Sequence, residues 1–250
     1  MAIPIALQLY SIREDAARDL PRILDVVAKM GYDGVEFAGF YGHTAAAVRS
    51  MLDNAGLKVA GAHVGIDTLL GDAFEQSVEF HQTIGNRFLI VPGLAEERRN
   101  SRQAWLHTAG VMNEIADRLA AYGMQTGYHN HHIEFQPLDG ELPWDTFFSN
   151  TKPTVIMQFD TGNALHGGAQ AAPFIERYPG RATTVHLKEH SASNETALIG
   201  EGDVPWAEIF RLCEGVGKTE WYIVEQESYA YPPLECVDRC LQHVRKLLNR

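Results

Sequence analysis

The sequence has few cysteines, and they lie late in the chain. Cys213, Cys236 and Cys240 make an odd number, which does not suit the disulfide framework of a small secreted protein. Cys236 and Cys240 are four residues apart on a predicted helix, a spacing that could hold a metal ion or be oxidised. We interpret them instead as small, partly buried helix residues. This cysteine usage predicts a reducing, cytoplasmic setting.

Positive charge is also scarce. The 250 residues contain 21 Lys and Arg against 32 Asp and Glu, a net charge of -11. Because phosphate binding depends on Lys and Arg, this balance disfavours nucleic acid and acidic membranes as general partners. The sequence has no apolar run that could span a bilayer, and Met1 to Tyr10 lacks the basic start and cleavage site of a signal peptide.

What the sequence does have is a regular alternation of strand-like and helix-like segments. Eight strands alternating with helices predict an α/β fold, a single (β/α)8 barrel over residues 1–250. An open doubly wound sheet is the alternative, but the residues after the first strand do not resemble its Gly-rich phosphate turn. The predicted strands are Ile3 to Tyr10, Gly34 to Phe37, Leu57 to Val64, Phe88 to Val91, Gln125 to Asn130, Val155 to Asp160, Ala182 to Leu187 and Trp221 to Val224.

Polar side chains stand at the end of nearly every predicted strand. In a parallel barrel these ends meet at one face, where active sites lie. A charged residue with apolar neighbours is unusual there unless it is paired or binds a ligand. The residues at these positions are Gln8, Tyr10, Glu36, His63, His129, His131, Glu134, Asp160, Asn163, His186, Lys188, Glu225 and Glu227.

The last strands combine carboxylates with an imidazole. By strand alternation His186 and Lys188 share one face of their strand, which is the barrel interior if His186 is functional. Glu225 and Glu227 share one face of theirs. Taken singly, Asp160 could cap a turn, His186 could be a buried imidazole, and either glutamate could pair with Lys188. Since successive strands all end this way, we predict a divalent metal site. Mixed oxygen and nitrogen ligands suit Mn²⁺, Co²⁺, Mg²⁺ or Zn²⁺.

Four motifs together resemble a known family. They are Gly127-Tyr128-His129-Asn130-His131 with Glu134-Phe135, Asp160-Thr161-Gly162-Asn163, His186-Leu187-Lys188-Glu189, and Val224-Glu225-Gln226-Glu227. Over essentially the whole chain the sequence resembles the sugar phosphate isomerase/epimerase group of the xylose isomerase-like TIM barrel superfamily. That group also contains inosose dehydratase and 3-keto-glycoside-processing enzymes. The combination is specific to the superfamily and not to one substrate.

The resemblance implies one divalent metal ion, with Mn²⁺ the first choice, and a small carbohydrate substrate. His131 is the alternative to Glu134 as a ligand, because strand five itself offers histidines where the epimerases carry glutamate. Glu227 is likewise the alternative to Glu225. The implied ligands are Glu134, Asp160, His186 and Glu225.

The resemblance also implies a mechanism, in which a proton next to a carbonyl is removed through a metal-bound enediolate. Glu134 and Glu225 would carry protons, and Lys188 would stabilise negative charge or hold the substrate. The residues expected to bind sugar are Gln8, Glu36, His63, His129, His131 and Asn163.

An isomerase or epimerase is therefore the expected enzyme. A lyase or dehydratase acting on inososes or 3-keto-glycosides is the alternative, because it would begin with the same proton abstraction. A non-catalytic sugar-binding barrel and an abasic-site endonuclease are further alternatives, and the net charge disfavours the endonuclease. The sequence leaves open the substrate, its phosphorylation and whether copies of the chain form a homo-oligomer.

Overall fold

The computed structural model, which describes residues 2–250, contains a closed barrel of eight parallel strands. Each strand pairs with its sequence neighbours, and the last strand returns to pair with the first. The predicted (β/α)8 fold is thereby confirmed. The strands are β1 (Ile5–Gln8), β2 (Gly34–Phe37), β3 (Lys58–His63), β4 (Phe88–Val91), β5 (Gln125–His129), β6 (Ile156–Asp160), β7 (Thr184–Leu187) and β8 (Trp221–Val224).

Helices surround this barrel. Within residues 2–250, none has the length and apolar character needed to cross a membrane. Cys236 and Cys240 are buried on the last helix, in agreement with their interpretation as packed helix residues. The helices are α1 (Arg13–Arg18), α2 (Leu20–Met30), α3 (Ala45–Ala55), α4 (Ala73–Ile84), α5 (Arg102–Ala120), α6 (Pro143–Phe148), α7 (Thr161–His166), α8 (Ala171–Arg177), α9 (Trp206–Leu212) and α10 (Pro233–Leu247).

Local capping explains why α3 begins and ends where it does. The Thr44 side chain accepts a hydrogen bond from the Ala47 amide, which would otherwise lack a partner in the first turn. Gly56 follows the last turn with a φ of 70°, a left-handed conformation that glycine adopts without strain. Both ends of this helix are thus set by residues local in the sequence.

Alternation along the strands separates the apolar packing from the functional end of the barrel. Ile156 and Ile223 belong to a small apolar cluster inside the barrel, distinct from the larger core between strands and helices. Two residues further along the same faces come Gln158 and Glu225, because strand side chains repeat with a period of two. The barrel interior therefore changes from apolar to polar towards the carboxyl ends of the strands.

The interior also needs a residue without a side chain at Gly127 in β5. A Cβ atom there would lie 2.6 Å from the Ile156 carbonyl oxygen and 2.9 Å from Ile90 Cδ1. We expect Gly127→Ala to lower the free energy of unfolding by about 1–3 kcal/mol, because a packed interior does not accommodate extra atoms. Urea denaturation measures this change.

Gly110 is the matched control, since it is an exposed residue of α5 and a Cβ atom there would meet nothing within 4 Å. We expect Gly110→Ala to raise stability by about 0.5–1 kcal/mol through helix propensity. Equal effects of the two substitutions would contradict the crowding argument.

Candidate metal centre and active site

Four buried side chains converge at the carboxyl ends of β5 to β8. One ligand atom from each of them lies within 4.8 Å of all the others. His186 Nδ1 is 2.6 Å from Glu225 Oε2 and 3.9 Å from Asp160 Oδ2, and His129 Nε2 is also 3.9 Å from Asp160 Oδ2. Strand register explains part of this convergence, because Asp160 in β6 pairs with His186 in β7. The four residues are His129, Asp160, His186 and Glu225.

One carboxylate oxygen of Asp160 accepts a hydrogen bond, and the other has no hydrogen-bond partner. Its Oδ1 accepts a hydrogen bond of 2.6 Å from the Asn163 amide, which makes Asp160 the N-cap of α7. Its Oδ2 is buried, faces the cluster and has no hydrogen-bond partner. A buried carboxylate oxygen without a partner is costly, and a cation would satisfy it. The four side chains therefore fit a divalent metal ion.

The protonation state of His129 agrees with metal binding, and the pKa of Asp160 is shifted by its burial in the same centre. Burial lowers the pKa of His129 well below its usual value, and neighbouring His186 and His63 lower it further. His129 is therefore neutral, the form in which imidazole binds metals. Burial, together with the nearby Glu225 carboxylate, raises the pKa of Asp160 to about 7, against the opposing effects of Lys188 and His186.

A hydrogen-bonded layer lies directly below these four residues. Buried Glu36 accepts hydrogen bonds of 2.7 Å from Gln8 and from Gln158, and its Oε2 lies 2.6 Å from His186 Nε2. Such a carboxylate fixes the orientation of a ligating imidazole. Gly61 makes room for it, because a Cβ atom at that position would lie 2.6 Å from Glu36 Oε1.

The same layer decides between two groups of candidate ligands. His63, His129 and His186 also bring nitrogen atoms within 4.8 Å of one another. However, this group contains no carboxylate, and Gln158 Oε1 lies 2.7 Å from His63 Nε2 and 3.1 Å from His129 Nδ1. The group that contains Asp160 offers the unpartnered oxygen, and it fits a metal better than the three histidines do.

Glu134 lies outside both groups. Its Oε1 accepts a hydrogen bond of 2.6 Å from the Tyr128 hydroxyl, and its Oε2 accepts one of 2.7 Å from the His131 amide. Burial raises the pKa of Glu134, although these hydrogen bonds oppose the shift. Both oxygens are thus used to fasten the turn after β5, and the turn carries His131 to the barrel mouth.

The residues expected to bind sugar lie at two depths in the barrel, either at its mouth or buried below it. His63, His129 and His131 line a cavity of about 400 Å³ at the barrel mouth, together with Tyr10, Glu225 and Glu227. Asn163 lines an adjacent cavity. Gln8 and Glu36 are fully buried below and line neither cavity.

Lys188 lines the cavity that Asn163 lines, and it acts electrostatically on Asp160 and Glu225. Its ammonium group forms an ion pair with Glu227, and the Glu225, Asp160 and Glu227 carboxylates raise its pKa although burial opposes this. Lys188 therefore keeps a positive charge beside the predicted metal ligands.

Sequence reasoning did not assign roles to Gln158 or Thr184. Gln158 Nε2 donates to Glu36 and, at 3.0 Å, to the Thr184 hydroxyl, so both residues hold the layer below the centre. The available signal was a polar side chain at an inward position of an otherwise apolar strand, Val155 to Phe159. His129 was expected to bind sugar, whereas the structure places it among the four converging residues.

The barrel and its buried centre define the class of protein: a (β/α)8 barrel with a candidate metal site at the carboxyl ends of its strands. A sequence profile of the xylose isomerase-like TIM barrel family matches residues 24–247. The chain belongs to this family, as the motifs around the site predicted.

Named relatives and solved structures agree with this membership. Inosose dehydratase from Serratia proteamaculans is 25% identical in an alignment that covers 81% of this chain and 80% of the relative. The rhizopine catabolism protein MocC from Rhizobium meliloti is 24% identical in an alignment that covers 91% of this chain and 82% of the relative. A sugar phosphate isomerase/epimerase from Parabacteroides distasonis superposes with a TM-score of 0.85 at 23% identity, covering 98% of this chain and 94% of that one.

An AP endonuclease of family 2 from Brucella melitensis also superposes, with a TM-score of 0.75 at 16% identity, covering 97% of this chain and 99% of that one. At such identities the structural likeness shows the fold alone.

The raised pKa of Asp160 gives the metal-free protein a specific dependence on pH. A carboxyl group whose pKa is higher in the folded state stabilises the fold below its unfolded pKa, and this contribution is lost as pH rises through the folded pKa. We therefore expect Asp160→Asn, which removes the buried charge, to gain stability relative to the wild type between pH 4 and pH 8, with most of the gain accumulated by about pH 7.

Chemical denaturation of both proteins in EDTA across this range measures the difference. A difference that does not change with pH would contradict a raised pKa at Asp160. Adding a divalent ion at pH 8 should reverse the order of stability, because the ion compensates the charge in the wild type alone.

Proposed function

We propose that this protein is a divalent-metal-dependent enzyme that removes the proton next to a sugar carbonyl and isomerises or epimerises the sugar. The observation that carries the proposal is the unpartnered Asp160 Oδ2, buried among His129, His186 and Glu225. This centre adjoins a cavity whose lining is rich in imidazole and carboxylate groups. Such an arrangement suits a polar, hydroxyl-bearing substrate.

We assign Asp160, His186 and Glu225 as metal ligands, as the family resemblance implies, and His129 as the fourth. His129 is neutral and its Nε2 faces Asp160. Glu134 would have to release its hydrogen bonds to Tyr128 and to the His131 amide before it could ligate. Mn²⁺ suits two imidazoles and two carboxylates, and Co²⁺ or Zn²⁺ would also fit them.

A divalent ion held here supplies Lewis-acid polarisation of the substrate carbonyl, which acidifies the neighbouring C–H bond. Glu225 lines the cavity and accepts the proton. Lys188 and His186 lower its pKa although burial opposes them, so it is ionised at neutral pH. The Lys188 ammonium stabilises the negative charge that develops on the substrate. Glu227 and His131 line the same cavity and are the groups placed to return a proton.

The second candidate reaction is elimination, in which a group leaves the sugar after the same proton is removed. Several relatives that are 22–25% identical to this chain are named inosose dehydratase. A dehydratase and an epimerase can share the first proton abstraction and differ only in whether a group β to the new carbanion leaves. The same residues therefore support either outcome, and the reaction products distinguish the two.

Metal content tests the ligand assignment. We expect one bound divalent ion per chain in protein refolded with Mn²⁺ and desalted, and loss of most of it in Asp160→Ala and His129→Ala, because each substitution removes a ligand atom. Glu134→Gln is the matched control: it replaces another buried carboxylate and should retain the ion. Mass spectrometry of the metals in folded protein, as judged by circular dichroism, gives the answer. Retention in His129→Ala with loss in Glu134→Gln would reverse the assignment.

Deuterium exchange tests the reaction. In D₂O, metal-loaded protein should introduce deuterium next to the carbonyl of an accepted ketose, inosose or 3-keto-glycoside, and NMR detects the loss of that proton signal. Glu225→Gln should slow this exchange by about 100-fold or more, since it removes the proton acceptor.

Deuterium exchange without elimination supports the isomerase or epimerase, and an enone product supports the lyase. Metal-loaded protein that binds sugars but exchanges no proton would instead be a sugar-binding barrel.

A further inference from the structure

A second cavity of about 510 Å³ adjoins the first one of about 400 Å³. The two share His131 and Glu227 in their linings, so they meet at the Lys188–Glu227 ion pair. Both volumes are within the roughly 300–1,000 Å³ that small-molecule sites occupy. A single monosaccharide at the metal centre would leave the second cavity unused.

The outer wall of this cavity is held in place by one carboxylate. Glu189 accepts hydrogen bonds from the backbone amides of His190, Gly200 and Val204, and its Oε2 accepts one of 2.9 Å from the Trp206 indole. These contacts join both ends of the segment 190–206. The wall is therefore fixed before any ligand arrives, which reduces the entropic cost of binding.

Two glycines permit the close packing behind this wall. A Cβ atom at Gly202 would lie 2.4 Å from the His190 carbonyl oxygen, and one at Gly162 would lie 2.6 Å from the Glu189 carbonyl oxygen. Backbone packed this closely does not collapse into the cavity when the cavity holds only water. The volume is thus a built feature of the fold.

The chemistry of the lining selects a class of ligand. Among the lining residues, all of which lie in the described part of the chain, Lys188 is the sole lysine or arginine, and it is already paired with Glu227. A phosphate group would be repelled by Glu195 and Glu227 and would have to compete with Glu227 for Lys188, the one cation in the lining. Phenyl and indole rings are absent from this lining, so an aromatic group finds no stacking partner. The lining offers mainly amide, hydroxyl, imidazole and carboxylate groups, which exchange hydrogen bonds with hydroxyl groups.

We infer that the second cavity is a subsite for a neutral, hydroxyl-rich group covalently attached to the reacting sugar, such as a second sugar ring. The inference rests on the proposed function, because it takes the reacting carbonyl to lie at the metal centre. It adds that the preferred substrate is larger than a monosaccharide and carries no phosphate there. His131 and Glu227 contact both parts of such a substrate.

A tryptophan at Ala192 tests the subsite. Ala192 is exposed and lines the second cavity, and its amide hydrogen bond to Asp203 does not depend on its side chain. Ser193→Trp is the matched control, since Ser193 is the next residue of the same exposed segment and is not in the lining. The probes are D-glucose, glucose 6-phosphate and a panel of glucose disaccharides of different linkage. Titration calorimetry of Mn²⁺-loaded protein measures their binding.

We expect at least one disaccharide to bind at least tenfold more tightly than D-glucose and glucose 6-phosphate. Ala192→Trp should abolish this advantage without changing D-glucose affinity, and Ser193→Trp should keep it. Equal affinities, tightest binding of glucose 6-phosphate, or an advantage that survives Ala192→Trp would each overturn the subsite.

Deuterium exchange with monosaccharides separates this failure from failure of the proposed function. If exchange occurs and no disaccharide is preferred, only the subsite is wrong. If Mn²⁺-loaded protein neither binds nor exchanges any sugar, both proposals are wrong.

Discussion

The centre of this protein depends on His186, whose imidazole lies between two buried carboxylates. Its Nδ1 is 2.6 Å from Glu225 and its Nε2 is 2.6 Å from Glu36. Burial alone would keep this histidine neutral, but the two carboxylates raise its pKa to about 10. In the metal-free protein the imidazolium balances charges that would otherwise be very costly inside the barrel. Under the proposed function, a metal ion held here would take the place of the proton that His186 shares with Glu225.

The rest of the barrel holds that arrangement in place. Glu36 is fixed by Gln8 and Gln158, and Gly61 leaves the space that its carboxylate occupies. Asp160 has one oxygen tied to the start of α7, so its other oxygen points into the centre. Asp160 is therefore oriented by α7, and His186 is oriented by Glu36 from another strand. A site built on strand ends in this way is rigid, as stabilisation of a developing charge requires.

The net negative charge of the protein affects which ligands can approach the centre. The chain carries a net charge of -11, and Lys188 at the mouth is paired with Glu227. A DNA backbone would meet repulsion at long range, although an AP endonuclease from Brucella melitensis has the same fold. A neutral sugar meets no such barrier. The difference lies in the side chains that the shared barrel carries, because one fold supports many chemistries.

The sequence by itself determined the barrel fold and the end of the barrel at which the site lies. The alternation of strand-like and helix-like segments predicted eight strands. Three of them, including Phe88–Val91, have the predicted bounds. Strand alternation placed His186 on the same face as Lys188, and Glu225 on the same face as Glu227, because the period of two is a local property of the backbone. Asp160, which the sequence suggested could cap a turn, is the N-cap of the short helix α7.

Only the tertiary structure decided which side chains meet. Glu134 and His129 are five residues apart, and both are plausible ligands by residue type. Their directions depend on Tyr128 and Gln158, whose positions follow from the packing of neighbouring strands. The same holds for Glu36, which the sequence associated with substrate and the fold buries beneath His186. Distances between strands arise from register and barrel closure, and these couple residues more than a hundred positions apart.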